Sequence, residues 1–213
     1  MLAYWQGWTD LEENGVVRQM LAKMDDQMRA GACHWLSTGF EYLKEHREDD
    51  WSRGVVQRMR EYWDCRYAEM EKDPPAHTEE AREFTGWVKD SPFDKDETLT
   101  RAEKAVGLAG GVAVRMRDVS DFVEGLCAIA EGRELRVLLL LQKAINDPDV
   151  ERWAWEYERV REQITPFMDN IVELQDDYPE VKKIRQAAIK VADSLGRFGF
   201  EYLKPHYAKL MRK

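Results

Sequence analysis

A chain of 213 residues with 41 acidic and 32 basic side chains, net charge −9, suffices for one domain or two lobes and buries about two thirds of its unfolded surface without staples. That acidic balance disfavours autonomous nucleic-acid binding, and three widely spaced cysteines, Cys33, Cys65 and Cys127, offer no zinc pair and cannot all close into intramolecular disulfides. The longest apolar run, Val137 to Leu141, falls far short of the roughly 20 residues that span a bilayer, and Met1 to Trp8 lacks the regions of a signal peptide, so a reduced, cytoplasmic protein without a membrane span is expected.

Leu2 to Trp8 reads as a short apolar arm with no stripe to join, and its Trp5 and Trp8 are expected to anchor in a groove on a neighbouring subunit. Thr9 with Glu12 then makes a capping-box pattern. Val17, Met20, Leu21, Met24, Met28, Trp35, Leu36, Phe40 and Leu43 follow as a helical stripe, which predicts one long first helix, bent at Gly31 or Gly39. Asp49 or Asp50 caps a second helix through Trp51, Val55, Met59, Trp63, Tyr67 and Met70, stopped by Asp73-Pro74-Pro75. Thr78 caps a short third one carrying Ala81, Phe84 and Val88.

Lys89 to Glu97, with Ser91-Pro92, is the clearest linker. It divides the chain into an acidic lobe over 1–90, a linker over 91–98 and a second lobe over 99–213, unless the chain is one continuous domain. Thr100 with Glu103 repeats the capping box, and Val106, Ala109, Ala113, Met116, Val119, Val123 and Leu126 carry a helix to about Gly132, weakened by Gly107, Gly110 and Gly111. Leu135 to Ile145 is apolar nearly all round, as a buried helix is. Asp147-Pro148 opens a helix that Thr165-Pro166 kinks or restarts, and Tyr178-Pro179 precedes a late helix through Val181, Ile184, Ala188, Val191 and Leu195. With no alternating run, the fold class is all-α: a bundle of about seven or eight helices with long first and late members and no sheet.

Charge is unevenly placed. Residues 1–100 hold 22 acidic and 13 basic side chains, whereas 101–213 hold 19 of each. The last stretch reverses sign, with Lys182, Lys183, Arg185, Lys190, Arg197, Lys204, Lys209, Arg212 and Lys213 set against Asp193 and Glu201. This basic tail predicts head-to-tail self-association or an acidic partner, nucleic acid being the alternative.

Gly-Phe-Glu-Tyr-Leu-Lys-x-His occurs twice, at Gly39 to His46 and Gly199 to His206, with Glu45 in one copy and Pro205 in the other. On a helix, Phe40 with Leu43 and Phe200 with Leu203 each share a face, the pattern of a docking helix. Tyr42 with His46 and Tyr202 with His206 stand at i and i+4, where a phenol beside an imidazole can serve acid or base chemistry. Pro205 should end or bend the second copy's helix.

His34, His46, His77 and His206 form no HxxxH or Glu-x-x-His pattern, and no phosphate loop is present, so neither a metal nor a cofactor is expected. Arg29-Ala-Gly-Ala-Cys-His34 resembles the Arg-x4-His motif of the helical HEPN ribonucleases, without the polar residue that usually follows the Arg; the resemblance implies that Arg29 and His34 act on an RNA phosphodiester. Glu80-Ala-Arg-Glu83 looks like the first half of the metal-binding pattern of all-helical nucleotide pyrophosphatases, whose downstream Glu-x-x-Asp is missing here. The leading expectation is a non-enzymatic helical protein that acts by association, with itself or a protein partner, through Trp5, Trp8, Phe40, Leu43, Phe200 and Leu203. Nucleic-acid association through the basic tail, or a HEPN-like nuclease, is the alternative.

Overall fold

The 35 residues from Thr9 to Leu43 do not form one helix in the computed structural model, which describes residues 2–110, 116–150 and 152–212. They belong to four helices: α1 (Leu2–Glu13), α2 (Val16–Leu21), α3 (Asp26–Ser37) and α4 (Phe40–Glu45). Gly15 ends the first segment in the left-handed region at φ 69°, where a residue without Cβ is favoured. Asp25 starts α3, its carboxylate accepting from Met28 N–H at 2.8 Å. Thr9 is no cap: its hydroxyl donates back to the Trp5 carbonyl at 2.9 Å, inside α1. Gly111, Ala113 and Lys213 lie outside the described residues, as does the side chain of Met116.

The expected apolar arm is thus α1 itself, and Trp5 has no exposed surface. It packs edge-on against Tyr4 and Trp8, and Trp8 in turn meets Tyr62. The physical reason is local: Trp5, Trp8 and Glu12 share one side of a helical turn pattern, so a segment too short to show a long stripe still has a face to bury.

The remaining helices of the first unit are α5 (Asp50–Lys72), α6 (Thr78–Thr85) and α7 (Lys95–Ala109), joined by 3-10 turns at Pro74–His77 and Gly86–Val88. The bounds of α5 agree closely with expectation, because Asp49 and the Pro74-Pro75 pair punctuate the chain strongly. Thr78, expected to cap α6, is instead its first residue, its hydroxyl donating to the Pro75 carbonyl at 3.4 Å, and Val88 lies in the 3-10 turn beyond. The capping box at Thr100 is overturned. Asp94 caps α7 by accepting from Glu97 N–H at 2.8 Å, and Thr100 lies inside the helix. Gly110, at φ 72°, closes α7 in the left-handed conformation common after a last helical turn.

Cα proximity divides the chain into two units at Gly110. Residues 91–98 sit within the first: Phe93 is buried beneath the guanidinium groups of Arg60 and Arg101, 5.5 and 4.9 Å from its ring. The core of this unit gathers Trp5, Phe40, Leu43, Met59, Trp63, Phe84 and Trp87, each large buried side chain contributing about 1.5–3 kcal/mol.

The second unit holds α8 (Met116–Ala128), α9 (Glu134–Ile145), α10 (Glu158–Glu173), α11 (Val181–Arg197) and α12 (Lys204–Leu210), with a 3-10 turn at Arg152–Trp155. The helix expected from Asp147 begins only at Glu158, and α10 runs through Pro166 instead of restarting there. The all-round burial expected over Leu135 to Ile145 is not met: Leu139 and Lys143 are exposed and Leu135 is half-buried. The described residues are all helical or irregular, without strands, and carry more helices than the seven or eight expected. No described helix is long and apolar enough to cross a membrane.

Candidate functional site

Charges that fall on buried helix faces need partners, because an isolated ionised group out of water is costly. Glu80, on α6, has no exposed surface. Arg66 on α5 answers it in a two-pronged pair, Nε to Oε1 at 2.7 Å and Nη2 to Oε2 at 2.8 Å. Arg29 on α3 donates Nε to Oε2 at 3.2 Å, and His77 Nδ1 lies 3.0 Å from the same oxygen. Burial works to raise the Glu80 carboxyl, but bonding and attraction from Arg66, then from His77, outweigh it and hold the group below the usual carboxylate range.

Asp26 extends the cluster. As the first residue of α3 it accepts from the backbone N–H groups of Glu79 and Glu80 at 2.8 and 3.0 Å, capping α6 from a different helix. Arg29 completes its own set with the carbonyls of Met24 and Ala76, at 2.5 and 2.8 Å. The oxygens and nitrogens of Asp26, His77 and Glu80 lie within 4.8 Å of one another, the one such trio among the described residues that could hold a metal. All four carboxylate oxygens already accept hydrogen bonds, however, and two guanidinium groups stand beside them. The arrangement serves to tie α3, α5 and α6 together.

The cluster walls a cavity of about 390 Å³, lined by Glu12, Arg18, Leu21, Ala22, Arg29, Tyr62, Cys65, Arg66, Glu69 and His77. Two wall groups are buried with a polar atom left unpartnered: Glu12 Oε2 and the Tyr62 hydroxyl. Burial pushes the Tyr62 phenol well above its ordinary value, so it stays a neutral donor and acceptor. A larger cavity of about 510 Å³ lies in the second unit, among residues of α8, α9 and α10, but its wall has no orphaned buried polar atom among the described residues.

The residues singled out from the sequence fall elsewhere or take other duties. Arg29 and His34, five positions apart, point about 140° apart on α3. His34 Nδ1 lies 3.3 Å from Glu83 Oε2 while Arg29 serves Glu80, so the two are not brought to one partner. Glu80 and Glu83, the half-pattern of the pyrophosphatases, are divided between those same two contacts.

Tyr42 and His46 do meet, ring centres 4.1 Å apart and planes tilted by 34°, with His46 Nδ1 2.9 Å from the Tyr42 carbonyl and Trp51 alongside. Tyr202 instead donates to the Trp155 carbonyl at 3.0 Å, and His206 Nε2 lies 2.9 Å from Asp169 Oδ1. The two pairs belong to different units and share no geometry. Phe40 and Leu43 are core residues of the first unit, Leu203 is buried in the second and Phe200 is half-buried, which removes most of the expected docking face.

In the tail, Arg185 is buried and donates to Asp176 at 2.6 Å and the Leu174 carbonyl at 2.7 Å. Lys183, Arg197 and Lys204 are engaged by Glu180, Asp193 and Glu201, while Lys182, Lys190, Lys209 and Arg212 are exposed. Burial raises the Cys33 thiol well above its ordinary value, with Glu80 and Glu83 adding to it, and burial alone raises the Cys127 thiol to about 12, which marks both as packing residues.

Glu12, Tyr62 and Arg66 were missed from sequence. A signal existed for Arg66, which continues the buried spacing of Met59, Trp63 and Met70, and for Glu12, which continues Trp5 and Trp8. A charge inside an apolar stripe marks a group that must find a partner. The chain matches no family model, no curated protein and no solved structure, so its chemistry rests on this geometry.

Proposed function

We propose that the protein works by association, as a homo-oligomer or a subunit of a larger assembly, through an exposed apolar face of the first unit. The observation that carries this is Trp35, 68% exposed, with Met28, 55% exposed, seven residues earlier on the same side of α3. The Tyr4 hydroxyl donates to the Trp35 carbonyl at 3.3 Å, which brings the exposed Tyr4 and Leu11 side of α1 to the same region. Large exposed apolar groups gathered together mark interaction surfaces, and tryptophan is the side chain most enriched among those that dominate binding.

This reading keeps the association expected from the aromatic arm, the doubled octapeptide and the opposite charges of the two ends, and transfers it from Trp5, Trp8, Phe40 and Leu43 to residues that solvent reaches. The unit carrying the face has 23 acidic and 15 basic side chains, so a partner with an apolar centre and a basic rim complements it. Native mass spectrometry of the protein purified from its host should show a complex, and Trp35→Glu should lose that complex while the melting temperature stays within a few degrees of wild type. A monomer without co-purifying protein, or a complex indifferent to Trp35→Glu, would defeat the reading.

A further inference from the structure

We infer that the cavity beside the Glu80 cluster is a binding site for a small zwitterion of the amino-acid class. Its volume, about 390 Å³, lies within the range of small-molecule sites, and its wall has the usual make-up of an apolar lining with a few convergent polar groups. The apolar part is Leu21, Ala22 and the ring of Tyr62.

The polar groups set the ligand's chemistry. Glu12 Oε2 on α1 and the Tyr62 hydroxyl on α5 are buried and unpartnered, two acceptors on one cavity wall that an ammonium group satisfies by donating. At the α5 side, Arg66 spends Nε and Nη2 on Glu80, and His77 spends Nδ1 on the same residue, so each turns one remaining nitrogen to other use. Arg66 Nη1 and His77 Nε2 are the groups that suit a carboxylate. A simple anion meets Glu12 and Glu69 on the same wall, and a simple cation meets Arg18, Arg29 and Arg66. A molecule carrying both charges avoids either conflict.

Arg18 supplies the way in. Its side chain is 61% exposed, and one long contact of 3.4 Å, Nε to Glu12 Oε1, holds it over the buried carboxylate. Swinging Arg18 outward opens Glu12 to the cavity, and the ligand's ammonium takes the place of the guanidinium beside the buried carboxylate.

The test uses the full chain, titrated calorimetrically and by thermal melting with each standard amino acid, then with the primary amine and the carboxylic acid that correspond to the tightest binder. At least one amino acid should bind at millimolar concentration or below, raise the melting temperature and slow alkylation of Cys65, which lines the same cavity. The amine and the acid should each bind roughly tenfold or more weakly, the loss that follows from one unmade charge-assisted bond. Tyr62→Phe and Glu12→Gln, which preserve shape, should weaken the amino acid by a similar factor. The proposal fails if no amino acid shifts the melt or protects Cys65, if the amine or the acid alone binds as tightly as the zwitterion, or if both variants bind as wild type does.

Discussion

Glu80 and Glu12 show how two buried carboxylates in one unit come to differ. Glu80 is met by Arg66, Arg29 and His77, whereas Glu12 has one oxygen on Arg18 and one unpartnered. Removing a single partner from a buried ion cluster leaves the opposite charges exposed to a low-dielectric interior. Glu80→Gln should therefore destabilise the first unit by about 3–5 kcal/mol, read as a lowered urea midpoint at unchanged slope. The carboxyl titrates lower in the folded chain than its ordinary 4.5. Its contribution is thus complete above that value and is lost as pH falls through the folded one. Urea midpoints measured below about pH 4.5 should fall in wild type and fall less in Glu80→Gln. A parallel fall in both proteins would show that other carboxylates control acid unfolding.

Among the elements, the doubled octapeptide separates local code from context. Five of the seven shared residues, Phe40 to Lys44, lie in a helix in the first copy, α4, but in the second Phe200 to Leu203 are non-helical and α12 starts at Lys204. Pro205 was expected to end or bend a helix; it stands instead in the first turn of one, where its missing N–H costs nothing. The repeated glycine is needed for two different reasons. At Gly39 a Cβ would lie 2.4 Å from Trp5 Cζ2, so α1 packs directly on that backbone. At Gly199 the space is open but φ is +90°. Gly39→Ala should cost about 1–3 kcal/mol through displacement of a buried ring, and Gly199→Ala about 1–2 kcal/mol through backbone strain. Adding Trp5→Phe should recover part of the Gly39→Ala loss and none of the Gly199→Ala loss in the same urea titrations. Helices such as α5 and α11 were legible because proline, aspartate and long stripes bound them. The breaks among α1 to α4 were not, since the apolar spacing carries on across Gly15 and Gly39 while the chain turns.

For the molecule as a whole, the first unit has a core cluster of its own, running from Trp5 to Ala109 among the described residues. Residues 1–110 produced alone should accordingly melt cooperatively with helical circular dichroism, at a stability on the order of 5–15 kcal/mol; a non-cooperative melt would show that the second unit is needed. Composition and periodicity were enough to indicate the all-helical class and that no described helix is long and apolar enough to cross a membrane, because those properties depend on near neighbours and on apolar totals. Which charges meet was beyond them. Arg66 and Glu80 are 14 positions apart and Arg29 and Glu80 51 apart, and nothing in a linear pattern selects one arginine over another. That choice, the placing of Trp5 inside and Trp35 outside, and the cavity left between α1 and α5 follow from how amphipathic faces pack once the chain has turned, where burial in three dimensions determines which polar atoms must be paired.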